Sequence, residues 1–150
     1  MALSRANPLL DIPASFWNVT YNAACYPGAP GLNGLSEGAN CQHFAYSLLR
    51  HFGLSVPGFR SSNLWEDTTY THHVDAFEPF DLLLWNSKPR AWGAHVGVYL
   101  GEEQVIHLAK SVGKPAVWSL SEFRLEPAYQ HFIGAKRVQP QSENNATSTG

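Results

Sequence analysis

Only two cysteines, Cys25 and Cys41, occur in 150 residues, too few for a disulfide framework and too few for a thiolate metal centre without histidine. Charge is sparse as well. Ten Lys and Arg against 12 Asp and Glu leave a net −2, and the basic residues are scattered instead of forming a stripe that could follow a phosphate backbone, so nucleic acid is not an expected partner. No apolar run approaches the ~18 residues of a spanning helix, and the opening MALSRANPLLDIPASF lacks the apolar centre of a signal peptide. No membrane partner is expected. The chain reads as cytoplasmic, or as exported by a dedicated secretion system.

What is present is a hydrophobic content of 44% spread along the whole length, which suits one core burying about two thirds of the unfolded surface. A single, monomeric domain over residues 1–139 is expected, followed by a disordered polar tail over 140–150. Residues 1–20 mix prolines with apolar side chains and should wrap the surface. The stretch YPGAPGLNGLSEGAN is dense in Gly, Pro and Asn and reads as a loop. It ends in Asn40, a good N-cap, and Cys41, Phe44, Ala45, Leu48 and Phe52 then recur at helical spacing up to Gly53. A helix from about Cys41 to Phe52 follows. Residues 55–78 read as a loop region with a short helix after Ser61 and Ser62. From Phe80 onward the runs FDLLLW, AHVGVYL, QVIHLAK, AVWSL and HFIGAKRV, separated by turn residues, predict an antiparallel meander of about five strands. Helix first and sheet after makes the fold class α+β.

A thiol in the first turn of a helix faces unpaired backbone N–H groups and the positive end of the macrodipole, both of which favour the thiolate. Cys41 holds that position. In AHVGVYL the period of two puts His95, Gly97 and Tyr99 on one face and Val96, Val98 and Leu100 on the other, the core face. If Leu100 pairs with Gln104, Gly97 faces His107, and His95 and His107 become diagonal neighbours on one face. A strictly two-residue turn would separate them, so the pairing needs an odd loop or a bulge. The roles then follow: Cys41 attacks, His95 exchanges the proton and His107 orients His95. The Cys41 N–H would hold the oxyanion, with a second donor from the preceding loop or from Gln42.

With these residues in view, the chain resembles the NlpC family of papain-like cell-wall cysteine endopeptidases over about residues 39–138. FDLLLW followed by AHVGVYLGEEQVIHLA is similar to that family's Gly-Asp-leading strand, His-Val-Gly strand, Gly turn and strand ending in Ile-His-Ala. GAKRV is similar to its last strand, and GLSVPGFRSS to its Leu-Pro-Arg-Thr-Ser stretch. The resemblance implies a cysteine peptidase or amidase, with no cofactor, that cuts a D-glutamyl to diamino-acid link in a peptidoglycan fragment. It also implies an upstream tyrosine, for which Tyr21 and Tyr26 both qualify. Two departures stand out. The family's Asp-Cys-Ser-Gly, whose Asp and Ser help recognise a free amine end, is here Asn40, Cys41, Gln42 and His43; and Phe80 replaces the Gly before Asp81.

For substrate contact the candidates are Gln42, Tyr26, Trp92 in the loop before His95, and Arg60, which could pair with a carboxylate. His72, His73 and Asp75 do not have ligand spacing, and no metal is expected. His43 falls on another face of the helix from Cys41 and reads as a rim residue. A disulfide between Cys25 and Cys41 is the bland alternative for the thiol. Competing functions are an amidase of the class named for its catalytic Cys and His, an acyltransferase or deamidase on the same fold, and an inactive module that binds a wall peptide or a protein.

Overall fold

The structure is a computed structural model that describes residues 11–140. The first ten residues and all but the first residue of the expected tail lie outside the described residues. Helix α1 (Cys41–His51) begins where the sequence places it, because the Asn40 side chain accepts a hydrogen bond from the His43 N–H at 2.8 Å. It ends where Gly53 takes φ 89°. A shorter helix, α2 (Ser61–Glu66), follows the two serines.

Six strands, β1 (Thr71–Val74), β2 (Leu82–Asn86), β3 (His95–Gly101), β4 (Gln104–Leu108), β5 (Pro115–Ser119) and β6 (His131–Val138), form one sheet in the order β1-β6-β2-β3-β4-β5. Every neighbouring pair is antiparallel. The α+β class holds, with two corrections. The polar segment read as loop contains β1, an edge strand whose His72 and His73 are exposed, so it carries no apolar alternation. The meander covers β2 to β5 only, because β6 returns to lie between β1 and β2. The return is made by helix α3 (Leu120–Arg124) and a single 3₁₀ turn (Pro127–Tyr129). Both lie against the sheet face on which Phe123 stacks with Trp85 of β2 at 3.9 Å.

The sheet is therefore buried on both faces. Helix α1 brings Phe44, Leu48 and Leu49 against Leu82, Leu84, Val96, Val98, Ile106 and Leu108. On the opposite face Leu83, Trp85, Tyr99, Val105 and Ala135 pack with Phe123. His95 and His107 share this second face, which is a core of its own and not a polar surface.

The β3–β4 hairpin decides whether the histidines meet. Glu102 and Glu103 form a two-residue turn, both at positive φ, and Gly101 pairs with Gln104. A bulge between Tyr99 and Gly101 restores the parity, so that Val98 pairs with Ile106 and Gly97 lies opposite His107. A Cβ on Gly97 would come within 2.6 Å of Val105 and 3.3 Å of the His107 Cβ. Here glycine is required by crowding.

Two further features hold the frame. Asp81, at the start of β2, is buried and takes the Arg137 guanidinium of β6 through both oxygens at 2.8 and 2.9 Å. Before it, Phe80 sits at φ 79°, a region that favours glycine, with its ring buried 4.9 Å from Phe52. Apolar burial there offsets the backbone strain that a glycine would avoid.

Candidate active site

Cys41 is the first residue of α1 and is half-buried. The backbone N–H groups of Val96, Gln42 and Cys41 itself favour its thiolate, as does the Arg60 guanidinium, but burial outweighs them and pushes the thiol up from its ordinary value. The contact with Val96 sets the sulfur beside the residue that follows His95 in β3. Both cysteines are free. Cys25 turns its sulfur to the Glu37 carbonyl at 3.6 Å, so no disulfide consumes Cys41.

The imidazoles of His95 and His107 are joined Nε2 to Nδ1 at 2.8 Å. Both are buried, His107 to within 1% of complete enclosure. Burial holds His95 well below its ordinary value, with the neighbouring His107 second, and lowers His107 to about 4. Among the described residues, no carboxylate or amide side chain hydrogen-bonds either ring. The surroundings are aromatic instead. Tyr129 stacks on His95 at 4.4 Å and 18°, and His107 lies 4.4 Å from Trp118 and 4.7 Å from Phe123. The Nε2 of His107 is buried within this cluster with no hydrogen-bond partner among the described residues.

The other sequence candidates differ in burial and in their tie to Cys41. Gln42 is buried. Arg60 precedes α2 and lies 5.0 Å over the Tyr26 ring, so Tyr26 supports the guanidinium that Cys41 feels. Trp92 is 69% exposed, with Arg90 5.5 Å from its ring, in a loop pinned by Asn86 Nδ2 to the Arg90 and Trp92 carbonyls. His43 binds the Gly34 carbonyl at 2.8 Å and fastens the preceding loop to α1. Among the described residues no three His, Cys, Asp or Glu side chains are grouped to hold a metal ion, and no helix is long and apolar enough to cross a membrane.

Sequence reasoning missed Tyr129, Phe123 and Trp118 as wall residues and left Tyr21 and Tyr26 undecided. Of those two, Tyr21 is the one electrostatically coupled to Cys41, and its backbone bridges Ala39, two residues before the thiol. The signal for α3 was legible: Ser119 and Glu122 form a capping box in which each side chain meets the other's backbone N–H. Tyr129 carried no such mark.

Comparisons with known proteins bear on the fold and the family. No curated protein matches the chain. Among solved structures, an NlpC/P60 family protein from Bacillus cereus ATCC 10987 superposes with a TM-score of 0.54 at 20% identity, over 69% of this chain and 32% of that one. The chain thus spans about a third of that protein's length, and the likeness is one of fold. The sequence pattern of the NlpC/P60 family matches residues 30–137. Members of that family are generally cell-wall peptidases or amidases, and the chain belongs to it.

Proposed function

We propose that the protein is a cysteine amidohydrolase in which Cys41 is the nucleophile, His95 its base and His107 the group that orients His95. The observation that carries this reading is the Nε2 to Nδ1 bond between two buried histidines, beside a helix-start thiol faced by the Val96 N–H. In the attack the thiol proton passes to His95 and sulfur bonds to the amide carbon. The oxyanion is held by N–H groups at the start of α1, with the Tyr21 hydroxyl as a second donor. His95 then protonates the leaving amine as the C–N bond breaks, and water hydrolyses the thioester.

The tautomers follow from the surroundings. For His95 to accept a proton at Nδ1 it must donate from Nε2 to His107 Nδ1, which leaves the His107 proton on Nε2 among aromatic rings. An N–H facing π electrons is mildly favourable, whereas the opposite tautomer would bury a bare lone pair there. His107 is thus an acceptor with no onward partner, suited to orient and not to relay.

The substrate is a peptidoglycan stem peptide cut between D-glutamate and the diamino acid, with Arg60, supported by Tyr26, meeting a carboxylate, Trp92 bordering the cleft and Gln42 buried beneath it. Asn40 is neutral and its side-chain oxygen is occupied by the helix cap, so no anion at this place selects a free amine. The test is digestion of L-alanyl-γ-D-glutamyl-diaminopimelyl peptides, with and without an acetylated N-terminus, followed by mass spectrometry. Cleavage of both at the D-glutamyl bond, lost in Cys41→Ala, is expected. Inertness toward both forms would refute the substrate, and cleavage retained in Cys41→Ala would refute the nucleophile.

A further inference from the structure

A catalytic histidine usually gains its positive charge beside a carboxylate that stabilises it. Here the partner of His95 is another histidine, neutral near neutral pH because burial lowers it to about 4. Burial also opposes charge on His95 itself. The titratable groups against it are His107 from β4 and Tyr129 from the turn before β6; Cys41 from α1, Tyr21 and Glu126 are coupled to Tyr129, and Arg60 to Cys41, from further out. None of these places a carboxylate on the ring. What covers the ring is the face of Tyr129, 4.4 Å away and within 18° of parallel.

We propose that Tyr129 is a positioning residue whose aromatic face supports the His95 imidazolium, in the role a carboxylate usually fills. The inference rests on the Cys41–His95 reading above. A cation over an aromatic face is attracted by the ring's quadrupole, more strongly when both are withdrawn from water. Neutral imidazole gains much less, so the ring stabilises the state formed when the thiol proton moves and contributes little before it. The same plane fixes the orientation of His95, and Phe123 and Trp118 enclose His107 behind it. Tyr129 reaches this place through the α3 crossing, and it stays neutral because burial, first, and Cys41, second, push its phenol up.

The experiment measures the pH dependence of Cys41 alkylation by iodoacetamide in a Cys25→Ala background. Tyr129→Phe keeps the face and is expected to match the parent. Replacement of Tyr129 by ring-fluorinated phenylalanine keeps the shape while weakening the quadrupole, and should cut the reactive thiolate population near neutral pH about three- to tenfold. Tyr129→Leu should do at least as much, with circular dichroism confirming that it folds. Equal profiles for the phenylalanine and its fluorinated form would overturn the proposal, as would a Tyr129→Phe profile as poor as that of Tyr129→Leu, which would assign the effect to the hydroxyl. His95→Ala separates the levels. If it leaves the profile unchanged, the Cys41–His95 reading itself fails; if it shifts the profile and the fluorinated ring does not, only the role of Tyr129 fails.

Discussion

Both faces of the sheet are covered, but they are built from different material. Under α1 the packing is mainly hydrocarbon, with Leu82, Leu84, Val96, Val98, Ile106 and Leu108 meeting Phe44, Leu48 and Leu49. Across the sheet, two imidazoles occupy positions that would otherwise hold apolar side chains, walled by Trp118, Phe123 and Tyr129. The first face supplies stability and fixes the direction of α1, and so the place of Cys41. The second forgoes some stability, most visibly in the unpartnered Nε2 of His107, and gains a polar pair held in one orientation. Neighbouring residues of β3 serve both: Val96 belongs to the first face and His95 to the second, while the backbone between them meets the thiol.

Substitutions should divide along this line. Cys41→Ala, at a half-buried position, should abolish amide hydrolysis, a loss of at least about 10⁴-fold in kcat, while leaving the thermal midpoint nearly unchanged. Parallel activity and melting assays check both halves. Phe44→Ala, under α1, should cost about 3 to 5 kcal/mol in urea unfolding, yet leave the alkylation profile of the folded thiol in place. His107→Leu should do the reverse. Removing the unsatisfied nitrogen makes it neutral or stabilising, whereas losing the acceptor for His95 should lower kcat about a hundredfold. A large stability loss would mean that the histidine face is held by its polar pair and would break the comparison.

The pH dependence sharpens it. His107 titrates at about 4 when folded against 6.5 otherwise, so between those values the unfolded chain binds more protons. Its contribution is complete above 6.5 and is lost as pH falls toward 4, with His95 acting in the same direction. Urea midpoints measured across that range should fall with pH in the parent, and less steeply in His107→Leu. The smallest effect lies at the turn: Glu103→Gly, at φ 63°, should stabilise by about 0.5 to 1 kcal/mol, since glycine adopts that conformation without strain.

Much of the thiol's side of the site was legible in the chain. Asn40, the helical spacing after it and Gly53 mark α1, and the period of two in β3 and β4 selects His95 and His107. Their meeting was legible only as a condition, because the bulge at Leu100 depends on how Tyr99 and Gly101 fit the sheet and has no local signature. The aromatic wall was out of reach for a related reason. Trp118, Phe123 and Tyr129 look like ordinary core residues in sequence, and become a cage only because β6 returns beside β2, carrying α3 and the 3₁₀ turn across the histidine face. β1 escaped notice because an edge strand with two exposed histidines is defined by its partner, Thr71 to Val138 through Val74 to Ala135, and not by its own pattern.

The central claim is that Cys41 and His95 form one proton-exchanging unit. Titration of the thiolate by its ultraviolet absorbance, in Cys25→Ala with and without His95→Ala, tests it most directly. With His95 present the thiolate should appear at lower pH than when His95 is replaced by alanine, because the imidazolium formed as the proton moves stabilises it against the burial that opposes charge on both groups. Coincident titration curves in the two proteins would contradict the account.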